Sequence, residues 1–222
     1  MSEARRGDPE HATEQVVGAS LSRVGQLSFF SAEANAPRLD DLAGLLCCHG
    51  QVASFGSTAA RLSVVLDEPW RAEAIAAALA ERDIDAELTD SEEGHPLVRT
   101  AFRADLTPLA TAWSKGAVKA VPPGLALDGA MLRLWSLAAG RWSEGGYLLA
   151  LDPRSPDTHE PLGGAMARCG LAATMLGTRG GGPGLRVSGL RRLKRLAELV
   201  GAPPVESAQG HWPVDSRVRA TG

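Results

Sequence analysis

The order of apolar and alternating segments runs through this chain once and then runs through it again. An apolar helix pattern over residues 39–48 is followed by two short strand patterns, 51–55 and 61–66, separated by Gly56-Ser57-Thr58. Glu68-Pro69 then opens a helix through Ile75 and Leu79, with the proline at a first-turn position where its missing N–H costs least. Residues 84–89 and 97–103 alternate apolar and polar side chains around a turn at Glu93-Gly94. Asp105 is placed to cap a last helix through Leu109 and Trp113.

Beyond Pro122-Pro123 the same αββαββα order returns. A helix is expected over 125–139, strands over 141–143 and 147–151 around Glu144-Gly145-Gly146, and a helix over 160–170. Extended segments over 171–178 and 185–188 follow, then a helix over 190–200 stopped by Gly201. Gly50 and Gly140, each ending a first helix, are 90 residues apart, and Ile84 and Leu171 are 87 apart. Spacing that varies only by loop-sized insertions marks a duplicated unit. The expected fold is α/β in the α+β sense, with two pseudo-symmetric αββαββα halves forming one domain. The halves span 21–118 and 125–203, a linker spans 119–124, and the weakly hydrophobic ends, 1–20 and 204–222, are expected to be a disordered and a flexible tail.

Composition bounds the partners. With 222 residues and 44% hydrophobic content the chain can bury a real core. It contains no run near the roughly 18 apolar residues of a membrane span, and residues 1–11 are polar, so a cytoplasmic location without membrane contact is expected. Cys47, Cys48 and Cys169 are odd in number and fit neither a disulfide framework nor a zinc ribbon; reduced, inert thiols are expected. The net charge of −3 gives no whole-chain case for a polyanion, but its distribution is uneven. Residues 38–120 hold 8 basic and 13 acidic side chains, and residues 121–205 hold 10 and 6. Arg191, Arg192, Lys194 and Arg195 cluster on one helix, where the plainer reading is a solvated outer face.

The helix ends carry a family resemblance. Leu42-Ala43-Gly44-Leu45-Leu46-Cys47-Cys48-His49-Gly50 resembles the nine-residue LAGLIDADG motif, and Leu132-Arg133-Leu134-Trp135-Ser136-Leu137-Ala138-Ala139-Gly140 resembles its second copy. The likeness runs from about Leu27 to Gly201 and includes Ser28-Phe29-Phe30 and Pro122-Pro123. In form the second copy is closer to the WhiA class of bacterial sporulation regulators than to homing endonucleases. That resemblance implies a DNA-binding regulator with a helix-turn-helix domain after the double unit, for which the residues after Gly201 are too few. Physically, Ala43, Gly44 and Cys47 put small side chains three and four residues apart, so a partner helix at 132–139 can approach closely.

In nucleases of this family the eighth motif position supplies an acid from each helix, and the pair holds divalent metal. Here those positions are His49 and Ala139. A hard cation wants oxygen ligands, so hydrolysis by that route, a metal and a cofactor are not expected. Three consecutive helical residues point about 100° apart, so Cys47, Cys48 and His49 cannot converge on a softer ion. His49 is instead expected to cap helix-end carbonyls. Residues 180–184, Gly-Gly-Gly-Pro-Gly, lie between two strand patterns and lack the Lys-Ser/Thr of a phosphate loop, which favours a hairpin turn.

Arginines give the functional hint. Leu62, Val64 and Leu66 point inward, so Arg61 points outward, and Arg99, Ala101 and Arg103 are expected to share a face. Arg141, Arg179 and Arg186 sit in or beside strands of the second half. The resemblance implies that both sheets form a saddle on double-stranded DNA, with these six arginines on phosphates. Asp85, Glu87, Glu144 and Asp152 occupy similar places, and a mixed-charge face suits a protein or small-ligand module equally well. Both readings stay open on sequence alone.

Overall fold

Two four-stranded antiparallel sheets, each with the first strand at one edge and the third at the other, account for both halves. They are seen in a computed structural model that describes residues 31–178 and 182–213. The expected N-terminal tail, the segment Ser28-Phe29-Phe30 and Arg179 lie outside the described residues. In the first half a 3-10 turn (Leu39–Leu42) runs into α1 (Ala43–Leu46). It is followed by β1 (Gln51–Phe55), β2 (Ala59–Val65), α2 (Pro69–Ala80), β3 (Ala86–Asp90), β4 (Pro96–Thr100) and α3 (Thr107–Ala112). A two-residue hairpin, β5 (Ser114–Lys115) and β6 (Val118–Lys119), closes it. The second half repeats the order as α4 (Gly129–Ala139), β7 (Gly140–Ser143), β8 (Gly146–Ala150), α5 (His159–Arg168), β9 (Thr174–Leu176), β10 (Gly184–Val187) and α6 (Leu190–Val200). The sheets run β1-β2-β4-β3 and β7-β8-β10-β9, the same order twice.

Local chemistry explains where these elements start and stop. The Asp128 side chain accepts the Met131 N–H at 2.9 Å and caps α4. Pro69 opens α2. The β1–β2 turn uses Gly56 at φ 56°, and α6 stops at Gly201 with φ 70°, both in the left-handed region that disfavours side chains. Strand alternation sends Leu62, Val64 and Val98 of the first sheet, and Tyr147, Leu149, Leu185 and Val187 of the second, into one core. The amphipathic α6 adds Leu193, Leu196, Leu199 and Val200. No helix among the described residues is long and apolar enough to cross a membrane.

Three expectations change. The apolar segment 39–48 is half 3-10 turn, so α1 itself has only four residues. Asp105 does not cap α3; its carboxylate takes the Arg103 guanidinium at 2.6 and 3.0 Å, and α3 begins instead with Pro108 in its first turn. The segment after Pro203-Pro204, expected to be a flexible tail, is docked as far as residue 213. Trp212 is buried, donates its indole N–H to Gly201 O at 2.8 Å and accepts the Trp142 indole at 2.9 Å. A single large aromatic supplies enough apolar area to hold a segment with no periodic pattern.

The halves meet at α1 and α4, which the small residues of the motif allow. Ala43 and Gly44 are buried there, and a Cβ on Gly44 would collide with the Met131 carbonyl of α4. Gly44→Ala should therefore force the helices apart, at a cost of roughly 1–3 kcal/mol. Its thermal midpoint should drop by several degrees, while Gly177→Ala, where a Cβ meets open space, should stay close to wild type. Equal midpoints for the two variants would contradict the close crossing.

Candidate nucleic-acid interface

The strand registers line up side chains across each sheet on the face away from the core. On the first sheet Gln51, Ser63, Arg99 and Glu87 form one row. On the second, Arg141, Leu148, Arg186 and Thr174 form the equivalent row. Leu148 is only 1% exposed although it faces away from the core, flanked in register by the two arginines. The two outward faces are tied together where α1 and β8 end. The Gln51 amide donates to Asp152 Oδ2 at 2.6 Å, and Asp152 lies two residues beyond Ala150, in the same alternation as Leu148.

At this junction sits a side chain that sequence placed in a linker. Lys119 belongs to β6, and its ammonium is buried. It donates to the carbonyls of Cys48 at 2.5 Å and Gly50 at 2.8 Å, and pairs with Asp152 at 3.2 Å. The C-terminal end of α1 is thus closed by a cation, which the helix dipole favours. Across the seam Arg71 of α2 does the same for α4. It is buried and donates to the carbonyls of Leu137 at 2.6 Å, Gly140 at 2.8 Å and Ser136 at 3.4 Å.

Burial raises the Asp152 carboxyl. The Lys119 charge and hydrogen bonds from the Arg154 N–H, Lys119 and Ser155 outweigh that, so the group titrates below its ordinary range. His49 is half-buried beside this cluster. Burial lowers its pKa, more than the nearby carboxylates of Asp152 and Asp67 raise it, and Lys119 and Arg141 lower it further. It does not cap the helix end as expected, because Lys119 takes the Cys48 and Gly50 carbonyls. Burial pushes the Cys47 and Cys48 thiols up, which leaves them unreactive, and all three cysteines are free. Among the described residues no group of three or more His, Cys, Asp and Glu side chains could hold a metal ion.

The arginines separate into sets. Arg61 and Arg99 lie on the outward face of the first sheet, and Arg141 and Arg186 on that of the second. Arg186 also donates to Glu144 O at 3.3 Å. Arg103 does not share a face with Arg99. Arg99 pairs with Ser63 and Arg103 bridges Ala60, so the five residues 99–103 stand opposite the four residues 60–63. This extra residue is a β-bulge, which turns Arg103 to the other side. There its guanidinium is occupied by Asp105 and by the Asp83 carbonyl at 2.9 Å. No periodicity rule reveals a bulge of this kind.

Comparison with solved structures decides the architecture. A structure titled "The homing endonuclease I-WcaI bound to its DNA recognition sequence" matches 77% of this chain and 84% of that one, with a TM-score of 0.53 and 11% identity. The fold is LAGLIDADG-like. No protein-family model matches the sequence, and no curated protein matches it. His49 and Ala139 stand immediately before Gly50 and Gly140, whose carbonyls Lys119 and Arg71 take at the seam between the halves.

The folded-state pKa of His49 lies below its ordinary 6.5, so the unfolded chain binds that proton more readily. Its contribution to stability is complete above about pH 6.5 and declines as pH falls through that value. The contribution of Asp152, whose pKa is depressed, persists until about pH 4 and is lost below it. Denaturant titrations should show wild type losing stability as pH falls below about 6.5, and His49→Gln should remove that step while leaving the loss below about pH 4. A step of the same size in both proteins would show that His49 does not titrate this way.

Proposed function

We propose that this chain binds duplex DNA across its two outward sheet faces without cutting it, in a regulatory role resembling that of the WhiA class. The observation that carries this is the chemistry of the helix ends. Where a LAGLIDADG nuclease needs paired acids there are an imidazole and a methyl group, and the surrounding carbonyls are taken up by Lys119 and Arg71. A divalent ion needs several oxygen ligands to activate water, and neither residue offers one. The likeness to a homing endonuclease bound to DNA supports the choice of partner. The two units are taken as residues 21–118 and 125–203, joined through 119–124, with Arg61, Arg141 and Arg186 as phosphate contacts and Arg99 on the same DNA-facing surface. Arg179, outside the described residues, is proposed as a further contact of the second half, and Arg103, taken by Asp105, is left out.

A second reading, a module for a protein or small ligand on the same faces, is favoured by Asp85, Glu87 and Glu144 among the arginines. Affinity for duplex DNA measured from about 50 to 200 mM salt separates the two, because each neutralised phosphate releases counterions. The DNA reading predicts a steep salt dependence that Arg141→Ala and Arg186→Ala each flatten by about one unit, with little effect from neutralising Arg191, Arg192 and Lys194. Duplex DNA incubated with Mg²⁺ or Mn²⁺ should remain uncut. Absence of salt-sensitive affinity at low ionic strength would leave the second reading in place. Metal-dependent cleavage that His49→Ala abolishes would overturn the non-cleaving claim.

A further inference from the structure

The outer end of the first sheet carries groups that phosphate binding does not use. Phe55, at the end of β1, is 68% exposed, and Phe102, just past β4, is 45% exposed. Their rings lie 5.8 Å apart with planes tilted by 56°, and the Arg61 guanidinium stands 4.9 Å from the Phe102 ring centre. The β-bulge lies between Arg99 and Arg103, which bridges Ala60, and at this margin of the sheet the Phe102 and Phe55 rings form an exposed aromatic ledge.

Beside the ledge is a shallow depression of about 470 Å³ lined by Arg61, Arg99, Asp85, Glu87 and Phe102, within the range of small-ligand clefts. Glu87 and Arg99 are direct cross-strand neighbours, yet no ion pair joins either arginine to either carboxylate. Arg99 Nε is buried and has no hydrogen-bond partner. A cation and an anion side by side, not spent on each other, next to an exposed ring, suit a flat heterocycle with both donor and acceptor edges.

We infer that this depression is a pocket for one unpaired guanine of a DNA strand, stacked on Phe102 and read by Glu87 and Arg99. Guanine offers adjacent N–H donors on its Watson–Crick edge, which a carboxylate accepts together, and adjacent O6 and N7 acceptors, which a guanidinium donates to. The aromatic ring supplies the sequence-tolerant stacking energy, and the charged pair supplies the choice of base. The inference rests on the reading that DNA lies on this face. It accounts for the carboxylates that a pure phosphate surface would exclude, and it makes a duplex with an extrahelical base the preferred form.

The test compares a fully paired duplex, the same duplex with one unpaired guanine, the same with one unpaired thymine, a guanine-containing single strand and free guanosine monophosphate, all at one salt concentration. The unpaired-guanine duplex should bind about tenfold more tightly than the paired one, the scale of one stacked base. Phe102→Ala should erase most of that difference while keeping the paired-duplex affinity. Glu87→Gln, an isosteric change at an exposed site, should reduce the preference for guanine over thymine several-fold. Equal binding of paired and unpaired duplexes, unmoved by either variant, would overturn the pocket and leave the duplex reading standing. Phe102-dependent binding of the single strand or the monophosphate without any paired-duplex affinity would support the pocket and sink the duplex reading. No binding of any probe would overturn both.

Discussion

Lys119 ties the two halves together through a buried charge. Its ammonium reaches from the closing hairpin of the first half to two carbonyls at the end of α1 and to Asp152 beyond β8 of the second half. One buried charge thus satisfies a helix end within its own half and an acid across the seam. Such a pair is costly to desolvate and stable only when every remaining hydrogen bond is made. Asp152 meets that condition through the Gln51 amide, the Arg154 N–H and the Ser155 hydroxyl. Arg71 repeats the device on α4 with its three carbonyls, so both motif helices end on a buried cation.

This arrangement constrains what the surface can do. Closing the helix ends with cations adds a second tie between the halves beside the close crossing of α1 and α4 at Gly44 and Met131. It also fills the centre of the outward surface with satisfied groups, so chemistry has to come from the flanks. There the registers leave Arg61 and Arg99 on one sheet and Arg141 and Arg186 on the other, with Asp85 and Glu87 among the first pair. The flanks therefore differ in character. The second is cationic over a buried Leu148, and the first combines both signs with two exposed rings.

Much of the fold could be read from residues close together in the chain. The order of elements, the glycines at 50 and 140, and the alternation that buries Leu62, Val64 and Leu66 all follow from local pattern. The small residues at 43 and 44 also foretold the helix crossing. What escaped were features set by distant partners. Lys119 and Arg71 meet carbonyls roughly 70 residues away in sequence, and nothing near either marks it as buried. The bulge before Arg103 adds one residue to an otherwise regular strand and reverses the face of everything after it, so the expected Arg99, Ala101 and Arg103 row breaks. Trp212 docks a segment that has no periodicity, and its burial depends on Gly201 and Trp142.

A double-mutant cycle on Lys119→Met and Asp152→Asn, read as unfolding free energy in denaturant, probes the clasp directly. Each single variant should lose roughly 3–5 kcal/mol, because it strands a buried charge. The double variant, which strands none, should lose much less than the sum of the two. Single losses within about 0.5 kcal/mol of zero that simply add would contradict the account, since the seam would then stand without its buried ion pair.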